Sequence, residues 1–383
     1  MTQVAVSSPL GSRSISYQGF DPVGRERGRR EVKDGAVGKV TTFAYDALGR
    51  LSSATKVSGP VTVFDQAFTY DALGNILTRT DSRNAAANVA LSYLTTDRDR
   101  ICRIGYGADN GTDCNVTYDE VGDVTTQQTV TGTRELNYLA SGLVRNVTQD
   151  NTVARYRYDA FGEVQELDLE SDTSLDTRRD RHYGELIALR NAPQNAASSS
   201  VIAARPPGQQ QLLVRTVPGP HGFVATRRGA GGPWVFEFGE GRGNRFFTDQ
   251  EGAFVQDVDY LPYGEPASTG ASPGSKLYTS QQWNAGDALA ALGVSQLGAR
   301  MYDPVIGRFL SRDPLLVLRT SASTNPYAFA MNDPVNGADP GGLDCGESQC
   351  PQTPIVRRFA LLGDDATRGS RSERGLPRTL RHR

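Results

Sequence analysis

From Phe43 onward, apolar and polar residues alternate in short runs, and each run ends in the same punctuation. FAYDALGRL occupies 43–51, FTYDALGNIL 68–77, VTYDEVGDVT 116–125, LNYLASGLV 136–144 and YRYDAFGEVQ 156–165. Alternation before each Tyr, as in Phe68-Thr69-Tyr70, predicts a strand with one buried face. The Asp-x-x-Gly that follows predicts a tight turn, because Asp bonds the backbone two residues on and Gly supplies positive φ. The chain then returns as a second strand, for example Asn75-Ile76-Leu77-Thr78.

Tyr45, Tyr70, Tyr93, Tyr118, Tyr138, Tyr158 and Tyr183 recur every 20–25 residues. A period of this length signals a stacked array. One hairpin is marginal in water, so the units must pair edge to edge. The tyrosines then form a ladder along the sheet, with hydroxyls reaching the next turn. Such a ladder also suits sugar binding, and the structural role is the favoured one.

The first 40 residues are polar and rich in Gly and Arg, and read as a frayed end or an incomplete first repeat. Segments 167–181 and 191–210 are loops or insertions. Strand-like pieces follow at 185–189, 211–215 and 233–238, and 244–249 with 253–260 forms a further hairpin turning at Gln250-Glu251-Gly252.

The stretch 297–343 differs from the repeats. It holds four Asp-Pro steps, at Asp303, Asp313, Asp333 and Asp339. Each Pro fixes φ and bars its Asp from the helical region, so the stretch is a series of rigid corners carrying carboxylates. Two carboxylates held together cannot both ionise cheaply, and such a pair can act as acid and base on a peptide bond. Arg300, Arg308 and Arg312 lie among them and are able to hold one Asp ionised. Capping of turns is the structural alternative for all four.

Composition narrows the remaining options. The 41 Gly and 20 Pro of 383 residues suit many turns rather than helices. A net charge of −2 gives no field for nucleic acid or acidic lipid. No apolar run is long enough to span a membrane, and the N-terminus lacks the pattern of a Sec signal, so export, if any, takes another route. Cys102 and Cys114 flank a Gly/Asp/Asn-rich turn, and Cys345 and Cys350 are close in sequence. With no CxxC pair and no nearby His, free or locally paired thiols are favoured over zinc, and no metal or cofactor is expected. His182 and His221 are isolated and carry no catalytic assignment.

The Tyr-Asp repeats resemble the YD/RHS repeat family, which includes rearrangement hot spot proteins, toxin-complex C subunits and teneurins. Residues 258–343 resemble the RHS repeat-associated core domain. The match runs through Tyr260-Leu261-Pro262-Tyr263-Gly264-Glu265, Leu297-Gly298-Ala299-Arg300-Met301-Tyr302-Asp303-Pro304, Gly307-Arg308-Phe309-Leu310-Ser311-Arg312-Asp313-Pro314, Asn325-Pro326-Tyr327 and Asp339-Pro340-Gly341-Gly342-Leu343. The resemblance implies an all-β protein, a β-hairpin ribbon forming part of a spiral shell and ending in a core with short helical pieces. It divides the chain into a polar segment 1–40, YD repeats 41–185, an irregular β region 186–257, the core 258–343 and an Arg-rich tail 344–383.

The resemblance also implies an aspartic-type self-cleavage after Leu343, at the Leu343–Asp344 bond, marked by Asp339. It assigns the catalytic carboxylate to Asp313, with Arg312 as its neighbour. Asp303 and Asp333 compete as the second carboxylate, and Asp339 is placed to assist. The family's first motif carries a Gly that Asp313-Pro314-Leu315-Leu316-Val317 lacks. By the same resemblance the chain encapsulates and processes a C-terminal effector in a bacterial toxin or competition system. Its partners would be that effector, other shell or toxin subunits and an immunity protein. The tail has eight Arg against five acids, a net charge of +3, and too few apolar residues for a core of its own. The rivals are a non-enzymatic surface or adhesion module and a displaced, inactive cassette. A ribbon this short is expected to be open, with exposed edges.

Overall fold

The computed structural model describes residues 3–171, 178–183, 187–193, 203–205, 209–219, 224–229, 231–239, 245–267, 283, 287–289, 292–314, 325–339 and 341–343. The tail 344–383, with Cys345 and Cys350, and His221 lie outside them.

The described chain is almost entirely antiparallel β. Hairpin follows hairpin, and neighbours in sequence are neighbours in the sheet. Nine strands run in order from Gln3–Ser8 to Ile101–Tyr106. A second sheet runs from Val116–Tyr118 to Phe254–Val258, and a four-stranded sheet joins Asp287–Leu289, Val294–Leu297, Arg300–Asp303 and Arg308–Phe309.

The repeat works as its residues dictate. Asp46 Oδ1 accepts the N–H of Leu48 and of Arg50, and Asp71, Asp119 and Asp159 close the same turn. The Gly at the end of the turn is left-handed, with φ of 89° at Gly49 and 80° at Gly74. Five of the seven repeat Tyr hydroxyls donate back to the preceding unit rather than on to the next turn, and Tyr118 accepts the Ile101 N–H. Tyr45 donates to the carbonyl of Glu26, Tyr70 to Leu51, Tyr93 to Ile76, Tyr138 to Val124 and Tyr158 to Val144. Guanidinium groups cover several ring faces: Arg25 lies over Tyr45, Arg50 over Tyr70 and Arg308 over Tyr93. These hydroxyls and ring faces are thus taken by the ribbon and the C-terminal domain, which favours the structural role of the ladder over sugar binding.

The first 40 residues are neither frayed nor separate. Gln3–Ser8, Gly11–Tyr17, Gly28–Lys33 and Ala36–Tyr45 are consecutive strands of the first sheet. Asp21 Oδ1 accepts the N–H of Val23 and of Arg25, and Gly24 has φ of 88°, so Phe20-Asp21-Pro22-Val23-Gly24 is one more repeat turn with Phe in the Tyr position. The hairpin expected around 250–252 is present, between Arg245–Thr248 and Phe254–Val258.

Between the two long sheets the ladder breaks. There the side-chain amide of Asn115 substitutes for backbone, bonding both the N–H and the carbonyl of Ile104. Cys102 and Cys114 form a disulfide across the same seam, with Cα atoms 4.4 Å apart.

The two ends of the ribbon approach each other through side chains. Ser8 Oγ donates to the carbonyl of Gly252 at 2.7 Å, and the Arg13 guanidinium lies 4.3 Å from the Phe254 ring centre. Lys39 and Lys56 both pair with buried Asp259. No backbone ladder joins the ends among the described residues, so the edges are drawn together without forming a closed barrel.

The core of the molecule lies between ribbon and C-terminal domain. Leu51, Phe68, Ile76, Leu91, Ile104, Leu136, Val147 and Leu167 from the ribbon pack in one cluster with Tyr263, Leu289, Met301, Ile306 and Leu310. Full burial of each such side chain contributes about 1.5–3 kcal/mol. The C-terminal domain therefore lines the ribbon's apolar face rather than following it as a separate bead.

Candidate functional site

The C-terminal domain has its own aromatic centre, in which Trp283, Tyr302, Phe309, Phe329 and Leu297 are all buried. The hairpin Val294–Leu297 and Arg300–Asp303 crosses it, and its two-residue turn is Gly298-Ala299. Arg300 follows that turn. Its guanidinium lies 3.6 Å from the centre of the Phe309 ring and is held there by four acceptors. Nε donates to the Gly342 carbonyl, Nη1 to the Pro326 carbonyl at 3.1 Å, and Nη2 reaches Asp339 Oδ2 at 2.9 Å. The same Nη2 is 3.1 Å from Asp313 Oδ2.

Two of the four Asp-Pro aspartates thus share one buried guanidinium. Asp313 is fixed by its own N–H, which donates to the Pro326 carbonyl at 3.0 Å. Asp339 is fixed by its turn: its carbonyl accepts the Gly342 N–H, and its Oδ1 accepts the Leu343 N–H at 3.0 Å. Arg300, Asp313 and Asp339 are all buried. Two carboxylates and one cation leave an excess negative charge in a poorly hydrated place. Burial, helped by the Asp313 charge, pushes the Asp339 carboxyl up to about 6, while Arg300 and the Leu343 N–H pull against that rise. A carboxyl that burial makes hold its proton more tightly, next to a second carboxyl on the same guanidinium, is the arrangement an acid–base pair needs.

The other sequence-assigned residues lie elsewhere. Arg312 does not turn toward Asp313. Its N–H donates to Asp123, its side chain is half exposed, and its guanidinium lies 4.0 Å from Asp97. Asp303 is an anchor. Its Oδ2 binds Arg134 at 2.6 Å and Gln127 at 2.7 Å, and its Oδ1 accepts the Val305 N–H. Asp333 caps a turn, accepting from the backbone and side-chain nitrogens of Asn336. Asn336 in turn bonds Tyr45 and Glu26 in the first repeats. Asp344 lies outside the described residues.

Sequence reasoning placed Arg300 among three candidate arginines without separating it from its neighbours. The signal was present in Gly298-Ala299-Arg300: a tight two-residue turn aims the next side chain inward across the hairpin. The remaining arginine, Arg308, ties the domain to the ribbon. It bonds Asn75, Tyr93 and Asn325 and the carbonyl of Asp99. Among the described residues no group of His, Cys, Asp and Glu has the arrangement of a metal site. No helix among them is long and apolar enough to cross a membrane.

Comparison with known proteins agrees with the ribbon. Residues 31–166 match the family model described as Teneurin YD-shell. Salivary gland surface protein 1 of Aedes aegypti is 35% identical over 96 residues, covering 24% of this chain and 3% of that protein. The crystal structure of TcdB2-TccC3 without its hypervariable C-terminal region superposes on 87% of this chain with a TM-score of 0.66 at 21% identity, and TcdB2-TccC3-Cdc42 does so with a TM-score of 0.66 at 20% identity. The chain spans only 17% and 18% of the length of those two solved chains, so the likeness is one of fold. The repeats and the match over residues 31–166 show a YD-repeat ribbon, and the chain shares the β-shell fold of the TcdB2-TccC3 structures.

Proposed function

We propose that this protein is a shell scaffold whose C-terminal domain cuts its own chain after Leu343 by aspartic-type chemistry. The observation that carries the reading is the shared placement of Asp313 and Asp339 on Arg300, with Asp339 also bonded to Leu343. In this reading Asp339 is the second carboxylate, in place of Asp303 or Asp333. Asp313 takes a proton from a water whose oxygen attacks the Leu343 carbonyl carbon. Asp339 gives its proton to the carbonyl oxygen, forming a tetrahedral diol. Collapse of the diol breaks the C–N bond and returns a proton to the departing Asp344 nitrogen. Arg300 positions both carboxyls and holds the residue before Leu343 by its carbonyl.

The segment released by the cut is the effector position in this scheme, and the ribbon's inner face, which the domain lines, is its container. The partners are other shell or toxin subunits, on the analogy of the TcdB2-TccC3 assembly. Intact-mass analysis of the purified chain tests the chemistry. Wild type should show a break after Leu343, and Asp313→Asn and Asp339→Asn should each remain whole. An intact wild type assigns Asp313, Asp339 and Arg300 to anchoring the chain instead.

A further inference from the structure

We propose that Lys56 and Asp259 join in a side-chain amide bond that fastens the two ends of the ribbon covalently, with Glu31 carrying the protons. Three neighbouring strands of the first sheet bring the charged groups together. Glu31 of Gly28–Lys33 stands opposite Lys39 of Ala36–Tyr45, and Thr41 of that strand stands opposite Lys56 of Leu51–Ser58. Asp259 follows Phe254–Val258, the last strand of the second sheet. Lys56 Nζ lies 3.0 Å from Asp259 Oδ1 and 2.7 Å from Glu31 Oε1, while Lys39 Nζ holds Asp259 Oδ2. Glu31, Lys56 and Asp259 are only 6%, 2% and 4% exposed. The two cations and two anions leave no net charge, but the three buried ions have given up most of their water.

An ammonium and a carboxylate condense to an amide and one water, and the cluster holds every group this needs. Burial pushes the Asp259 carboxyl up, but Lys56 and Lys39 pull it down further, so the reaction starts from ions. Lys56 gives a proton to Asp259 Oδ1 and becomes a neutral amine. Its nitrogen attacks Asp259 Cγ, and the Lys39 ammonium holds the negative charge that develops on Oδ2. Glu31 takes a second proton from the nitrogen of the new C–N bond. It returns that proton to Oδ1, which leaves as water while the Cγ–Oδ2 double bond reforms. Glu31 and Lys39 end as they began, and no other reactant is consumed. Burial favours this direction, because two desolvated charges disappear and the water passes to bulk. Groups 203 residues apart are already in contact, and such fixed contacts reach effective molarities of about 10⁵–10⁸ M. Lys56 rather than Lys39 is the nucleophile, since it touches Glu31 and its side chain is 3% exposed against 24%. The bond joins ribbon ends between which no backbone ladder runs among the described residues.

The test is mass spectrometry of the full chain after reduction of the Cys102–Cys114 disulfide. Wild type should be lighter than its sequence by one water. Trypsin should release a branched peptide joining Lys56 to Asp259, with the cut after Lys56 lost. A break after Leu343 leaves both residues in one fragment, so the link is read there whether or not the chain cuts itself. Lys56→Arg keeps the charge and should show no lost water. Pulse-labelled Glu31→Gln should form the link about 100-fold more slowly than wild type. A wild type at its full sequence mass, with Lys56 and Asp259 in separate tryptic peptides, overturns the proposal. So does a lost water in Lys56→Arg, and if that variant does not fold, the wild-type branched peptide alone decides. A branch at Lys39 in place of Lys56, or equal rates in Glu31→Gln and wild type, overturns the roles given to those residues.

Discussion

Replacing Asp339 by Asn should leave the protein more stable at neutral pH relative to wild type than it is at low pH, although it removes a buried ion pair. The reason is burial of the Asp339 carboxyl, to which the Asp313 charge on the same Arg300 adds. The Asp339 carboxyl is pushed from 3.8 to about 6 in the folded chain. An acid raised on folding favours the folded state while protonated, and that contribution is lost as pH rises through the folded value. Between pH 3.8 and about 6 the native state is therefore progressively destabilised by this one group. At about 1.4 kcal/mol per pH interval of one, the loss is about 3 kcal/mol once ionisation is complete. Asn has a fixed cost of its own, because its amide nitrogen faces Arg300 Nη2, but that cost does not change with pH. The readout is a double difference: denaturant unfolding of wild type and Asp339→Asn at pH 4 and pH 7.5, both in the Asp313→Asn background if the chain otherwise cuts itself. That background removes the Asp313 charge and so lowers the expected change below about 3 kcal/mol, without reversing its sign. A difference that is flat with pH, or one that moves against Asn as pH rises, would falsify the account of Asp339 as a carboxyl strained by burial.

Three further expectations concern the scaffold. Asp303→Asn should lower stability by about 3–5 kcal/mol, because it leaves buried Arg134 without its carboxylate; it should still cleave, and a lost cleavage rate with an unmoved melting temperature would return Asp303 to the catalytic set. Tyr158→Phe should cost about 1–2 kcal/mol in urea unfolding, the price of leaving the Val144 carbonyl unbonded; no change would show that the hydroxyls of the ladder are ornamental. Reducing the Cys102–Cys114 disulfide, whose cysteines are 12 residues apart, should lower stability by about 3 kcal/mol by loop entropy and expose residues 107–113 to protease, whereas an unaltered digest would mean that Asn115 alone holds the seam.

The repeat was legible because it is local. Tyr, Asp and Gly at fixed offsets specify a strand end, a side-chain-bonded turn and a left-handed corner within five residues, and no distant contact is needed to read them. The same pattern with Phe20 for Tyr was passed over, since a single aromatic exchange hides a unit whose turn chemistry, at Asp21 and Gly24, is unaltered. The site was legible only as a set. Four Asp-Pro steps announced carboxylates at corners, but each of the four has the same local chemistry. Their fates were separated by what faces them: Arg134 and Gln127 for Asp303, Asn336 for Asp333, and Arg300 for Asp313 and Asp339 together.

Sequence alone determined the hairpin ribbon, its period, its turns and the presence of a carboxylate-rich end, because those follow from propensities acting over a few residues. Tertiary structure decided which two carboxylates meet, that Arg300 rather than Arg312 lies between them, that the domain lines the ribbon's face, and that Gly298 meets Gly341 while Gly342 meets Leu297. Those pairings join residues up to 45 positions apart within the domain and far more between domain and ribbon. They are set by how two packed surfaces exclude water, which no local pattern encodes.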